Sequence, residues 1–172
     1  MGPPSLDEIR AALGQLRNGK AAGITGIPPE AFKAGGEPLV HRLYKDLAEL
    51  WPENIDGARG SVPQSWQDAK VVTLFKNKGL AGNPGNYCGI FVLDVGGKVR
   101  ASIIHSQINV LVENWIGDYQ CGFRKRRGTS HQILSLRRLQ SEARKASLPT
   151  AAVFVDFAKA FDSPPMKHCL SA

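Results

Sequence analysis

The residues best placed to do chemistry are one carboxylate and two groups of basic side chains. In the run Ala151-Ala-Val-Phe-Val-Asp-Phe-Ala-Lys-Ala-Phe-Asp162, Asp156 closes an apolar, β-branched stretch with no basic residue beside it. Side chains alternate along a strand, so Ala152, Phe154 and Asp156 are predicted on one face and Val153, Val155 and Phe157 on the other. That places Asp156 at the rim of a packed sheet. Burying an unpaired carboxylate is costly, so this one should meet water, a cation or a hydrogen-bond donor. The residues admit two readings: a ligand for a divalent metal, or an Asp that caps the following turn. The second feature is Arg124-Lys-Arg-Arg127, with Phe123 before it and Arg137-Arg138 beyond. Such a cluster can neutralise phosphates without reading bases, while the aromatic ring stacks or packs. A solvated charge run is the alternative.

Other constellations carry less. Gly19, Lys20, Gly23 and Gly26 suggest a phosphate loop, but the spacing is wrong, no Gly-Lys-Ser/Thr ending follows and no strand precedes them. His41, His105, His131 and His168 are scattered, and the 3 cysteines, Cys88, Cys121 and Cys169, have no paired spacing. They read as reduced thiols rather than a disulfide frame or zinc site. A formal charge of +7 on 172 residues, with a pI near 9.5, favours a polyanionic partner. The 42% of hydrophobic residues suffices for a core. The start of the chain lacks a basic-then-apolar leader, and no apolar run reaches membrane-spanning length, so a soluble intracellular protein of cytoplasm or nucleus, with no membrane partner, is expected.

The elements that must hold these residues alternate in type. Ser5-Leu-Asp-Glu8 is a capping box opening a helix through Leu6, Ile9, Leu13 and Leu16, which should stop near Asn18-Gly19. A Gly- and Pro-rich loop runs to Pro29. The spacing then predicts a helix from about Glu37 to Leu50, with Leu39, Val40, Leu43, Leu47 and Leu50 inward. A polar linker from Pro52 to Ser61 precedes a strand over Ala69 to Phe75, which leads into a long loop or hairpin tip from Lys76 to Tyr87. A helix is expected from Gly97 to Asn114 with Val99, Ile103, Ile104, Ile108, Leu111 and Val112 inside. Another starts near Thr129 or Ser130, carrying Ile133, Leu134 and Leu139, before the strand at Ala151. The pattern is mixed α/β (α+β).

Four stretches, in order, resemble reverse transcriptases of non-LTR (LINE-like) retrotransposons. Phe154-Val-Asp-Phe-Ala-Lys-Ala-Phe-Asp162 resembles the first catalytic motif of that family. Asn18-Gly-Lys-Ala-Ala-Gly-Ile-Thr-Gly-Ile-Pro-Pro-Glu30 resembles its Gly-Lys-Ala-Pro-Gly-x-Asp-Gly-Ile-Pro block, and Asn86-Tyr-Cys-Gly-Ile-Phe-Val-Leu-Asp-Val-Gly-Gly-Lys98 its Asn-Tyr-Arg-x-Ile-Ser-Leu block with the following Gly-Lys. Gln120-Cys-Gly-Phe-Arg-Lys-Arg-Arg-Gly-Thr129 resembles its Gln-x-Gly-Phe-Arg-x-Gly-Arg-Gly-Thr block.

The resemblance implies the fingers (mainly residues 1–150) and the start of the palm (151–172) of a right-hand polymerase, with an incomplete palm sheet. It implies an RNA-directed DNA polymerase that takes deoxynucleotide triphosphates and an RNA or DNA template with primer. Asp156 would be a catalytic ligand of Mg2+, which in such enzymes lowers the pKa of the attacking hydroxyl and steadies the pyrophosphate. The family's partner carboxylates lie in a Tyr/Phe-Ala-Asp-Asp hairpin that does not occur in this sequence, so the chain is expected to be inactive alone. By the same resemblance Phe161 would exclude a 2′-hydroxyl, Lys76 and Lys78 would grip the triphosphate, and Phe123, Arg124, Lys125, Arg126 and Arg127 would lie along the template.

Departures weaken parts of this picture. Cys88 stands where the family has an Arg, so a planar, bidentate phosphate fork is replaced by a thiol. Ala22 replaces a Pro and Thr25 an Asp, Lys125 and Arg126 occupy a position that usually turns, and His131 replaces an Asp. A non-catalytic, nucleic-acid-binding retroelement relic is therefore the alternative to a polymerase fragment. An unrelated basic α/β domain is a third. Either retroelement reading predicts an uncovered apolar edge around Val153 to Phe157, which favours aggregation.

Overall fold

A computed structural model describes residues 2–51 and 62–157. Phe161, Asp162, His168 and Cys169 lie outside the described residues. The fold is α+β, and the chain divides into two compact units, residues 1–116 and 117–172.

The first unit is organised by three helices. Helix α1, Leu6–Gln15, begins at Ser5, whose hydroxyl accepts from the Glu8 N–H at 3.2 Å while the Glu8 carboxylate accepts from the Ser5 N–H at 2.8 Å. Two otherwise orphaned donors are thereby satisfied, as the Ser-x-x-Glu spacing predicts. A short helix not evident in the sequence, α2 at Pro29–Ala34, starts on a proline, whose missing N–H costs nothing in a first turn. Helix α3 spans Gly36–Glu49, close to expectation. Its Val40, Leu43 and Leu47 join Ile9, Ala12 and Leu13 of α1, Trp51, and Val95, Val99 and Ile103 of a later helix, α5 at Val95–Val112, in one buried cluster. Burying each of the larger side chains stabilises the unit by roughly 1.5–3 kcal/mol.

One turn of helix, α4 at Gln64–Gln67, leads into β1, Ala69–Phe75. Strand β2, Tyr87–Leu93, pairs with it antiparallel from Ala69 opposite Leu93 to Phe75 opposite Tyr87. β1 and the tip lie where the sequence pattern predicts them, whereas β2 is not evident in it. Gly89 interrupts the β-branched pattern, and it is pairing with β1 that makes the segment a strand. Helix α5, Val95–Val112, starts two residues before its expected Gly97 because Asp94 caps it. Gly96 and Gly97, unfavourable inside a helix, are buried under Trp66: a Cβ on Gly97 would lie 2.7 Å from the Trp66 carbonyl oxygen. The inner face expected of α5 holds only in its first half, since Ile108, Leu111 and Val112 are exposed.

The second unit contains α6, Thr129–Lys145. It is capped not by Thr129 or Ser130 but by Gly128, whose N–H donates to Nδ1 of His131 at 3.2 Å. Ile133, Leu134 and Leu139, which it carries, are exposed. The strand expected at Ala151 is also corrected. Residues 151–157 form no ladder, and Val153, Phe154, Val155 and Phe157 are 74–86% exposed. Strand propensity alone does not make a strand: backbone donors and acceptors need a neighbouring strand, and the only sheet among the described residues is the β1–β2 ribbon. Asp156 therefore stands on an exposed segment outside any ladder, not at the rim of a packed sheet.

Candidate functional site

The first candidate is the tip of the β1–β2 ribbon. Lys76 follows β1 directly; its N–H donates to the Asn86 carbonyl at 2.8 Å and its ammonium to the Gly85 carbonyl at 3.3 Å. The tip is built rather than loose. Asn77 and Gly79 take left-handed conformations, the Asn86 amide donates to the Leu80 carbonyl at 2.8 Å, and the Tyr87 hydroxyl donates to the Ala81 carbonyl at 2.9 Å. The Phe75 and Tyr87 rings, 5.2 Å apart, close its base. Lys78 is exposed at this tip. Cys88, opposite Leu74, is exposed on the ribbon face shared with Val72 and Ile90. That face presents a thiol and apolar side chains where a guanidinium would have offered an anion two donors.

The basic loop before α6 is the second candidate, and its cations divide into two kinds. Arg124 donates through Nη1 to the carbonyls of Gly117 at 3.0 Å and Gln120 at 3.3 Å. Arg127 reaches Asp118 twice, the carbonyl at 2.5 Å and the carboxylate at 2.7 Å. The hydrogen bond from Arg127 holds the Asp118 carboxyl below its ordinary range, and the same bond raises the Arg127 guanidinium. These two arginines shape the loop. Lys125 and Arg126 are exposed, with no partner among the described residues, and Phe123 is 90% exposed. Phe123 and Arg126 both have positive φ, 60° and 61°. The uniform basic run of the sequence thus becomes two structural arginines, two outward cations and an exposed ring. Arg137 and Arg138 are exposed on α6.

Asp156 is exposed and has no hydrogen-bond or ion-pair partner among the described residues. No group of three His, Cys, Asp or Glu side chains able to hold a metal occurs among them. Magnesium needs several fixed oxygen ligands, of which Asp156 supplies one carboxylate.

Sequence reasoning missed one polar cluster. Asp94, only 2% exposed, accepts from the Thr25 N–H at 3.0 Å, the Thr25 hydroxyl at 2.8 Å and the Val95 N–H at 2.9 Å. It ties the Gly-rich loop to the start of α5. Gly23 makes the approach possible, because a Cβ there would lie 2.5 Å from the Asp94 Cα. Asp before an apolar helix signals a cap, but nothing local points to Thr25. Neither a scan against protein-family models nor a search of curated proteins finds a match to this chain.

Proposed function

We propose that the chain is part of an RNA-directed DNA polymerase of the non-LTR retrotransposon type, comprising fingers and the first part of the palm. The observation that carries this reading is the order of the four motif-like stretches, ending in Phe154-Val-Asp-Phe-Ala-Lys-Ala-Phe-Asp162. It is supported by a β-ribbon whose tip carries Lys76 and Lys78, and by Lys125, Arg126 and Phe123 exposed on one loop. In this reading the ribbon tip meets the triphosphate and the basic loop meets the template backbone. The test joins the chain to the downstream palm and thumb of a non-LTR reverse transcriptase and measures primer extension with magnesium and deoxynucleotides. Extension that Asp156→Ala abolishes is the expected result. A well-folded joined protein without extension would overturn it.

A specific observation favours a second reading, a nucleic-acid-binding protein without catalysis. Cys88 leaves the ribbon face without the arginine of the family pattern. Restoring it by Cys88→Arg in the joined protein distinguishes the two. Activity gained only with the arginine points to a decayed enzyme; activity with cysteine in place supports the first reading.

A further inference from the structure

A cavity of about 450 Å³ in the first unit opens between the end of α1, the Gly-rich loop, β2 and the first turn of α5. Arg17, Lys20 and Lys98 line it, and no carboxylate does. None of these three cations has a partner among the described residues. Some other cations of the unit are paired: Arg10 holds Glu37 at 2.9 Å and Asp7 at 2.7 Å, Arg42 holds Asp46 at 3.0 Å, and Lys33 donates to the Asn18 side chain at 2.9 Å. Exposed Lys45, Lys70 and Lys78 are not, so what sets Arg17, Lys20 and Lys98 apart is their convergence on one concavity. Glu30, the carboxylate next in sequence to Pro29 of the cavity wall, is occupied by the Gly19 N–H. Three like charges around one concavity repel one another, and their fields add within it. An anion would relieve that repulsion.

The geometry is held in advance. Lys20 follows Gly19, which Glu30 fixes, and the far end of its loop is clasped to Asp94 by Thr25. Lys98 sits on the first turn of α5, its N–H bonded to the Asp94 carbonyl at 2.9 Å. The rest of the wall includes Leu16, Pro29 and Phe91, the last 64% exposed. Cations beside an apolar and aromatic surface suit a phosphate attached to a sugar and base, and the volume is of the size that holds a small ligand.

We propose that this cavity binds the phosphate of a nucleotide through Arg17, Lys20 and Lys98, with the base or sugar against Phe91. The phosphate can belong to a free nucleotide or to a single strand. The site stands on its own geometry and survives if the polymerase reading fails.

The test is lysine acetylation footprinting on the whole chain, with deoxyadenosine triphosphate in one arm and a twelve-nucleotide single strand in the other. Protection of Lys20 and Lys98, with exposed Lys45 of α3 modified as before, is expected. Protection by the triphosphate alone assigns a free nucleotide; protection by the strand alone assigns a phosphodiester. Calorimetry on Arg17→Gln, Lys20→Gln and Lys98→Gln should show affinity for the protecting probe about tenfold weaker, against less than about twofold for Lys45→Gln, as loss of a charge-assisted contact implies. Equal weakening by all four variants would reduce the site to net charge and overturn it. So would failure of both probes to protect Lys20 and Lys98, a result that does not depend on how the variants fold.

Discussion

Removing the Asp94 carboxylate tests how the Gly-rich loop is held. Asp94→Ala leaves the Thr25 N–H, the Thr25 hydroxyl and the Val95 N–H without their acceptor. A hydrogen bond to a charged group contributes roughly 1.5–3 kcal/mol, and loss of an N-cap costs about 1 kcal/mol. These contributions overlap, and water reaches the exposed Thr25, so the expected cost is about 3–4 kcal/mol. Asp94→Asn is graded differently. Its remaining oxygen can still accept the two bonds made by Oδ1, from Val95 and the Thr25 hydroxyl, but its amide nitrogen would face the Thr25 N–H, donor against donor. About 1.5–2.5 kcal/mol is expected. Thr25→Val removes only the hydroxyl and should cost about 1 kcal/mol. Because Thr25 and Asp94 act as a unit, the Thr25→Val/Asp94→Ala double variant should lose less than the sum of the single changes by at least about 0.5 kcal/mol. Urea unfolding followed by tryptophan fluorescence, to which buried Trp51 contributes, measures all four, with the denaturant slope unchanged. Hydrogen exchange at the Thr25 and Val95 amides should accelerate in Asp94→Ala. A cost below about 1 kcal/mol for Asp94→Ala, or strict additivity in the double variant, would refute the clasp.

Further outcomes follow from the same structure. Leu47, fully buried among α1, α3 and α5, should cost about 2–5 kcal/mol when changed to Ala, read as a lower urea midpoint. Gly97→Ala drives a methyl into the Trp66 carbonyl and should destabilise by about 1–3 kcal/mol despite the better helix propensity of Ala; stabilisation would contradict the packing of α4 on α5. Glu8 titrates below the ordinary glutamate range. Its partial burial opposes ionisation, but the Ser5 N–H, the Gln107 amide and the Ser5 hydroxyl together outweigh it. A carboxylate depressed on folding contributes stability above its unfolded pKa and loses it as pH falls through the folded value, so the contribution fades below about pH 4.5. Glu37, depressed by its bond to Arg10, acts in the same direction. Glu8→Gln should flatten part of the decline between neutral and acid pH in urea midpoints; an unchanged profile would show that the capping box carries no linkage. Under the proposed template role, Lys125→Gln with Arg126→Gln should lower single-strand affinity and reduce the salt slope by about 1–2, whereas Arg127→Gln should also lower the melting temperature, because Arg127 is bonded within its own loop.

The features legible in the residue string are local and periodic. The Ser-x-x-Glu box, the inward stripe of α3 and the β-branched run of β1 each satisfy their own donors or declare a face within a few residues, and each was legible. The basic cluster and Asp156 were legible as residue types, and their tertiary circumstances were not. The pairing of Arg127 with Asp118, the exposure of Asp156 and the absence of a ladder at residues 151–157 depend on what neighbours a segment finds. That Tyr87–Leu93 is a strand depends on the partner that completes it, and the two glycines near the start of α5 are there because they make room for Trp66. Most plainly, the tertiary structure joins Thr25 to Asp94 across 69 positions of chain and gathers Arg17, Lys20 and Lys98 around one cavity. Contacts between residues so far apart follow from packing of the core, which no local pattern of residue types specifies.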